Sequence, residues 1–392
     1  MVTSPFIRPI FWSSERCADK QHTGEFMASE LNKLIQAVEN VVGKGSVCAV
    51  VTDNASNRRN LTCNGCAAHM INLLLKDMFG MELMSDVFKK AVLVTKFVRK
   101  RAALLYRFRA LQRKYLGTRQ RRRALIIPVS TLWYSSTNCI SSVVRNEDVL
   151  RELFSNHEFL ARYGDAAAKL NRVESILADS MFWVNARAVM RLTNPIIQAL
   201  GALEKDGCCL SMVYEYFRGL KTHVIYNRET DDVASGILNT IRGQISSRWN
   251  FLKRESILAA FLLDPTKSTD DFEGDDLDNA VDACVDLATR VGLPSNVSPN
   301  AVRRAVMAFI RVKKSWTAED HEKNARDTPL DWWLVKVNKF PLLHVLATRV
   351  LSIPTSSAAS ERSWSVHSFI RTKRRNRLKP DRVEKLAYLY SN

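Results

Sequence analysis

Apolar residues along this chain follow two different spacings. The run SVCAVVTD, residues 46–53, is almost wholly apolar and β-branched. That is the pattern of a strand buried on both faces of a sheet, and it ends in Asp53. Just ahead of it, HTGEFMASELNKLIQAVENVVGKG sets apolar positions at helical spacing behind Thr23, an N-cap hydroxyl, and closes on glycine. PFIRPIFW, residues 5–12, reads as a short strand that Pro9 confines to an edge or a loop. Residues 66–123 carry a helical pattern, and ALIIPVSTLWYSS after them reads as a second buried strand followed by a turn. From about 145 to 345 helices dominate, with apolar residues at i, i+3, i+4 and i+7 through FLARYGDAAAKLNRVESILADSMFWVNARAVMRL. No fixed-period repeat is visible. The acidic segment DPTKSTDDFEGDDLDNAVDA lacks the ligand order of a calcium loop and is predicted to be a solvated linker. The fold class predicted is α/β and mostly helical.

Charge changes the picture more than composition does. The 392 residues are 46% apolar and 25% charged, as in a globular protein. No apolar run of eighteen residues and no signal-peptide pattern stands out, so the prediction is an intracellular chain with no membrane partner. The formal charge of +18 points to a polyanion, most often nucleic acid. Between Asp86 and Glu147 there is no carboxylate, whereas Lys and Arg recur throughout. Two readings of that stretch stand: a solvated helix face or localisation signal, and a phosphate-tracking surface. Arg121, Arg122 and Arg123 directly precede the strand-like ALIIPV, which favours the second. The same choice holds for the cluster containing Lys373, Arg374, Arg375 and Arg377. Eight scattered cysteines read as reduced buried thiols, not a disulfide framework.

Three stretches carry candidate chemistry. CNGCAAH spaces Cys63, Cys66 and His69 as a zinc site could use them, but no second pair follows, so buried thiols with a satisfied histidine are favoured. Asp53 sits where a strand-end carboxylate can meet a divalent metal, or can begin an Asx turn in TDNASN. Near the end, TSSAASERSWSVHSFIRTKRRNR places one acid, Glu361, ahead of a basic cluster instead of interleaving the charges.

In chain order, HTGEFMASEL, AVVTDNASN, CNGCAAHMINLLLKD, VSTLWYSS, LLDP, DWW with FPLLHVLATRVLSIPTSSAASERSWSVHSF, and RNRLKPDRVEKL together resemble the hAT superfamily of DNA transposases. The resemblance touches most of the chain and is most specific from Trp332 to Tyr390. It implies an RNase H-like core at 1–139, a helical insertion domain at 140–331, and a C-terminal dimerisation region at 332–392 that completes the core. By it, Asp53 is the second acid and Glu361 the third of a DDE triad holding Mg2+ or Mn2+. Cys66 and His69 match the family's Cys-x-x-His. Trp133 matches a tryptophan that stabilises a flipped or hairpin DNA end, and His69 joins it among the nucleic-acid-binding residues. Trp332, Trp333, Phe340, Leu343, Leu346 and Leu351 are the expected dimerisation residues.

The resemblance also predicts a departure. A full core places the first Asp on a strand ahead of the HTGE helix, whereas here Asp19 lies in loop-like sequence. The expectation is a core without its first two strands and without that acid, catalytically inactive, keeping self-association and non-specific DNA binding in the nucleus, with no small-molecule substrate. The alternative is an active DDE transposase whose true start lies upstream.

Overall fold

Burial on every side needs a helix that is apolar on every side, and ESILAAFLL is one. In the computed structural model this stretch forms helix Glu255–Leu263, with Ser256 through Leu263 all buried. Helices Asp276–Arg290, Pro299–Lys314 and Pro341–Leu351 pack around it. The structure describes all residues except 5–6, 15–22, 54–61, 117–123, 130–133, 229–231, 291–292, 294–295 and 372–377. It is mostly helical. Two compact units divide it: residues 1–70, 201–218 and 249–392 in one, and 71–200 with 219–248 in the other. The boundaries expected at 139/140 and 331/332 fall inside these units and do not coincide with their edges.

The first unit contains both described sheets. Strands β1 (Val2–Ser4) and β2 (Ile7–Ile10) pair antiparallel, while β3 (Ala49–Thr52) and β4 (Thr62–Gly65) pair in parallel, Ala49 opposite Thr62 and Thr52 opposite Gly65. Helix Gly24–Val42 starts as its sequence predicts: the Thr23 hydroxyl accepts from the Phe26 amide at 3.2 Å, and Gly43 ends it at φ +103°. Phe11 packs with Ile370, Val383 and Ala387 of the last two helices, Ala358–Ile370 and Pro380–Ser391. The Asn392 side chain locks that contact by accepting from the Phe11 amide at 2.8 Å and donating to its carbonyl at 3.1 Å.

The second unit is helical. Helices Glu82–Arg99, Tyr134–Val144 and Ala167–Ala178 pack together, as do Ala102–Leu116 and Glu147–Phe154. Here ALIIPV departs from its predicted strand. Residues 124–129 have no regular structure, with Ile126 and Val129 exposed. Side chains of neighbouring helices satisfy its backbone in place of a ladder. Arg99 donates to Leu125 O at 3.2 Å, Ser142 Oγ accepts from Ile126 N at 3.0 Å, and Ser135 Oγ bonds both the amide and the carbonyl of Val129.

The acidic linker is also a correction. Asp264 and Asp276 are buried, and the second opens helix Asp276–Arg290. Asp264 accepts from Ser211 Oγ, Thr266 N and Thr266 Oγ1, and Asp276 from Tyr214 Oη and Lys253 Nζ. Partners for each oxygen make burial tolerable.

Lys313 is buried at the carboxyl end of helix Glu255–Leu263, donating to Leu262 O at 2.9 Å and Asp264 O at 2.6 Å. Burial pushes its ammonium down to about 7, against the opposing charge of Asp264. A lysine depressed on folding leaves the unfolded chain binding more protons between the two values, so stability rises with pH across that window. Buried Cys139, Cys209 and Cys284, raised by burial to about 11, 12 and 12, act in the opposite sense once unfolded thiols ionise. Urea unfolding is therefore expected to show stability rising by up to about 2 kcal/mol from about pH 7 to about pH 8.5, then falling. Lys313→Met should flatten the rise; an unchanged rise in that variant would rule out Lys313 as its source.

Candidate functional site

A parallel pair of short strands ends at the site. Beyond Thr52, the last residue of β3, comes Asp53, half-buried. Beyond Gly65, the last of β4, comes Cys66, fully buried at the entry to helix Ala67–Phe79. The Cys66 amide donates to Thr52 O at 3.0 Å, extending the ladder by one bond and holding the two residues side by side. No strand is predicted at TCNG, which carries little β signal; it becomes one by pairing with β3.

The segment 352–357 closes over this joint. Ala67 N donates to Thr355 O at 2.9 Å, and buried Thr355 Oγ1 donates to Leu203 O at 2.8 Å. Ser357 then makes two bonds. Its Oγ donates to Asp53 Oδ1 at 2.9 Å, and its amide donates to Cys66 Sγ at 3.3 Å. The His69 amide donates to the same sulfur at 3.3 Å. Glu361 follows one turn into helix Ala358–Ile370 and is exposed. Donor atoms of Asp53, Cys66 and Glu361 all lie within 4.8 Å of one another.

Burial raises the Cys66 thiol, hydrogen bonds from Ser357 and His69 oppose that shift, and the nearby Asp53 charge adds to it. Half-buried Glu204 is also raised, first by burial and then by the charge of Glu361, with Arg362 opposing. Arg362 itself pairs with Asp206. Asp53, Glu361 and Glu204 concentrate acidic groups here, an arrangement chemically suited to a cation.

The structure thus brings Asp53 and Glu361 together and leaves His69 half-buried beside them on helix Ala67–Phe79. Trp133, Arg121, Arg122, Arg123, Lys373, Arg374, Arg375 and Arg377 lie outside the described residues, as does the Cys63 side chain. The described cysteines, Cys48, Cys66, Cys139, Cys208, Cys209 and Cys284, are free. Sequence reasoning missed Ser357, Thr355 and Glu204. The one signal for the first two was the hydroxyl-rich SIPTSSAAS ahead of the helix, where free amides and hydroxyls gather.

Of the expected dimerisation residues, Trp332, Trp333, Leu343, Leu346 and Leu351 are buried within their own chain and Phe340 is half-buried. Trp332, Trp333 and Phe340 gather around Phe309, with centroids 5.1–6.1 Å from its ring. The exposed apolar residues here are others: Trp364, Phe369, Leu386, Tyr388, Leu389 and Tyr390. Phe369 and Tyr390 touch, centroids 6.1 Å apart, and Leu386, Leu389 and Tyr390 share one face of the last helix.

No helix among the described residues is long and apolar enough to cross a membrane. No curated protein matches the chain. Residues 315–392 match the hAT family C-terminal dimerisation region, beginning ahead of the expected Trp332 and running to the end of the chain. That match supports hAT family membership and self-association.

Proposed function

We propose that this chain is a transposon-derived protein of the hAT family that self-associates through residues 315–392 and binds nucleic acid by charge without cutting it. The observation that carries this reading is that the matched dimerisation region bears a contiguous exposed apolar strip, Phe369, Leu386, Leu389 and Tyr390, on its last two helices. Exposed apolar residues that adjoin mark interaction surfaces. The net charge of +18 and exposed Lys89, Lys96, Arg99, Lys100, Arg109 and Arg113 support a nucleic-acid partner, and with it a nuclear protein.

An RNase H-like core interrupted by a helical insertion is the architecture this reading takes. Its catalysis would need Mg2+ or Mn2+ on carboxylates. Asp53 and Glu361 would supply oxygen ligands of the kind magnesium takes, and the Cys66 thiol beside them, which matches the family's Cys-x-x-His, would not be one of its ligands. The convergence of Asp53 and Glu361 favours a second reading, a metal-dependent DNA transposase. DNA cleavage in Mg2+ or Mn2+ that Asp53→Asn abolishes would establish it.

Two differently tagged copies of the chain, co-expressed, should co-purify; their failure to do so would overturn self-association. Binding to a labelled DNA duplex should weaken about a thousandfold between roughly 50 and 200 mM salt, with little preference among sequences. Affinity insensitive to salt would contradict charge-led binding.

A further inference from the structure

We propose that the cavity lined by residues 268–270 and by the end of helix Pro299–Lys314 binds a phosphorylated nucleoside unit, either a free mononucleotide or one residue of a single nucleic-acid strand. The cavity has a volume of about 290 Å³ and lies within the first unit. That is the scale of a small-ligand pocket. Its lining is a mixed set: Lys313, Lys314, Ser268 and Asp270, with the rings of Trp316 and His321. Each component answers one part of such a ligand.

Lys313 is buried, yet its ammonium donates only to two carbonyl oxygens and forms no ion pair among the described residues. The acids whose charge reaches it are engaged: Asp264 accepts from Ser211 and Thr266, and Asp271 pairs with Arg218. Buried charges ordinarily have a partner of opposite sign, and a phosphate in the cavity would supply one. Exposed Lys314 adds a second cation. Ser268 Oγ already accepts from the Asp270 amide at 3.2 Å, so its O–H is left to donate. The aromatic part is held in place. Half-buried Trp316 packs against buried Phe309 and Trp332, centroids 6.3 and 5.9 Å away, with His321 edge-on at 5.6 Å. A fixed indole is a platform for a planar base. Exposed Asp270 separates a nucleotide from a bare anion: its carboxylate repels phosphate alone but can accept from a sugar hydroxyl or a base amine.

This inference rests on the cavity and not on the self-association or charge-led duplex binding proposed above. The test is isothermal titration of the full chain with adenosine 5′-monophosphate, and separately with adenosine and with inorganic phosphate. The monophosphate should bind at one site, at least about tenfold more tightly than either part, since it alone engages both the cations and the ring. Lys314→Gln, a change at an exposed position, should weaken the monophosphate about tenfold and adenosine little. Trp316→Leu should weaken both about tenfold. If that variant misfolds through the Phe309 cluster, Lys314→Gln still decides. A short single-stranded oligonucleotide that displaces the monophosphate identifies a strand as the source, and one that does not identifies the free nucleotide. No binding of the monophosphate, phosphate alone binding as tightly, or unchanged affinity in Lys314→Gln would overturn the site. Duplex binding and chain mass measured on the same samples report the other two readings separately.

Discussion

Trp333→Ala is expected to lower the unfolding free energy by about 3–5 kcal/mol, the range for deleting a large buried aromatic. A single domain holds only about 5–15 kcal/mol in total, so this one change removes a large share. Trp333 is fully buried, and its ring lies 5.1 Å from Phe309, 5.1 Å from Trp332 and 5.9 Å from Phe340. Its indole N–H donates to Leu263 O at 2.7 Å, capping the last turn of the buried helix Glu255–Leu263. Alanine would leave a cavity and an orphaned carbonyl together. Trp333→Phe separates the two, since it keeps most of the volume and loses only the bond, and should cost about 1–3 kcal/mol. Urea unfolding of both variants checks this. If Trp333→Ala cost under about 1 kcal/mol, the tryptophan would not be packed in its own chain as described, and its place at an interface would be reopened.

The second large effect is expected at the other kind of apolar residue in the same region. Leu389→Asp combined with Phe369→Glu should weaken self-association by at least about 30-fold, since central interface positions contribute about 2 kcal/mol or more each. Stability of the single chain should change by no more than about 0.5 kcal/mol per site, because both side chains are exposed. That pairing of results distinguishes the strip from the Trp333 cluster, where stability would fall first. Concentration-dependent light scattering reads the first quantity and thermal unfolding the second. Equal association of the variant and the wild type would move the interface elsewhere.

The reason these two groups were not separable by sequence is physical. WWLVKVNKFPLLHVLATRVLSI is apolar enough for a core or an interface, and the two share composition. Only packing shows that Trp332, Trp333, Leu343, Leu346 and Leu351 face inward. Elements with local signals were readable. Thr23 and Gly43 bracket helix Gly24–Val42, and the β-branched AVVT forms β3. Elements defined by a distant partner were not. TCNG becomes β4 through β3, ALIIPV is held by Ser135, Ser142 and Arg99, and Asp264 is buried because Ser211 and Thr266 meet it.

At the site, the pairing of Asp53 with Glu361 came from family resemblance, since no local pattern joins residues some three hundred positions apart. Cys66 was legible as a buried thiol and as part of a Cys-x-x-His match. Its place between two carboxylates depends on the extra ladder bond to Thr52 and on Ser357 reaching back across the joint. Those are tertiary facts. They set a sulfur within 4.8 Å of the two carboxylates.

Self-association through residues 315–392 is the central claim, and sedimentation equilibrium of the full chain over a wide concentration range tests it most directly. The prediction is a mass twice that of one chain or a higher multiple, falling toward a single chain on dilution, and falling at much higher concentration in the Phe369→Glu, Leu389→Asp variant. A single-chain mass at every concentration would contradict it.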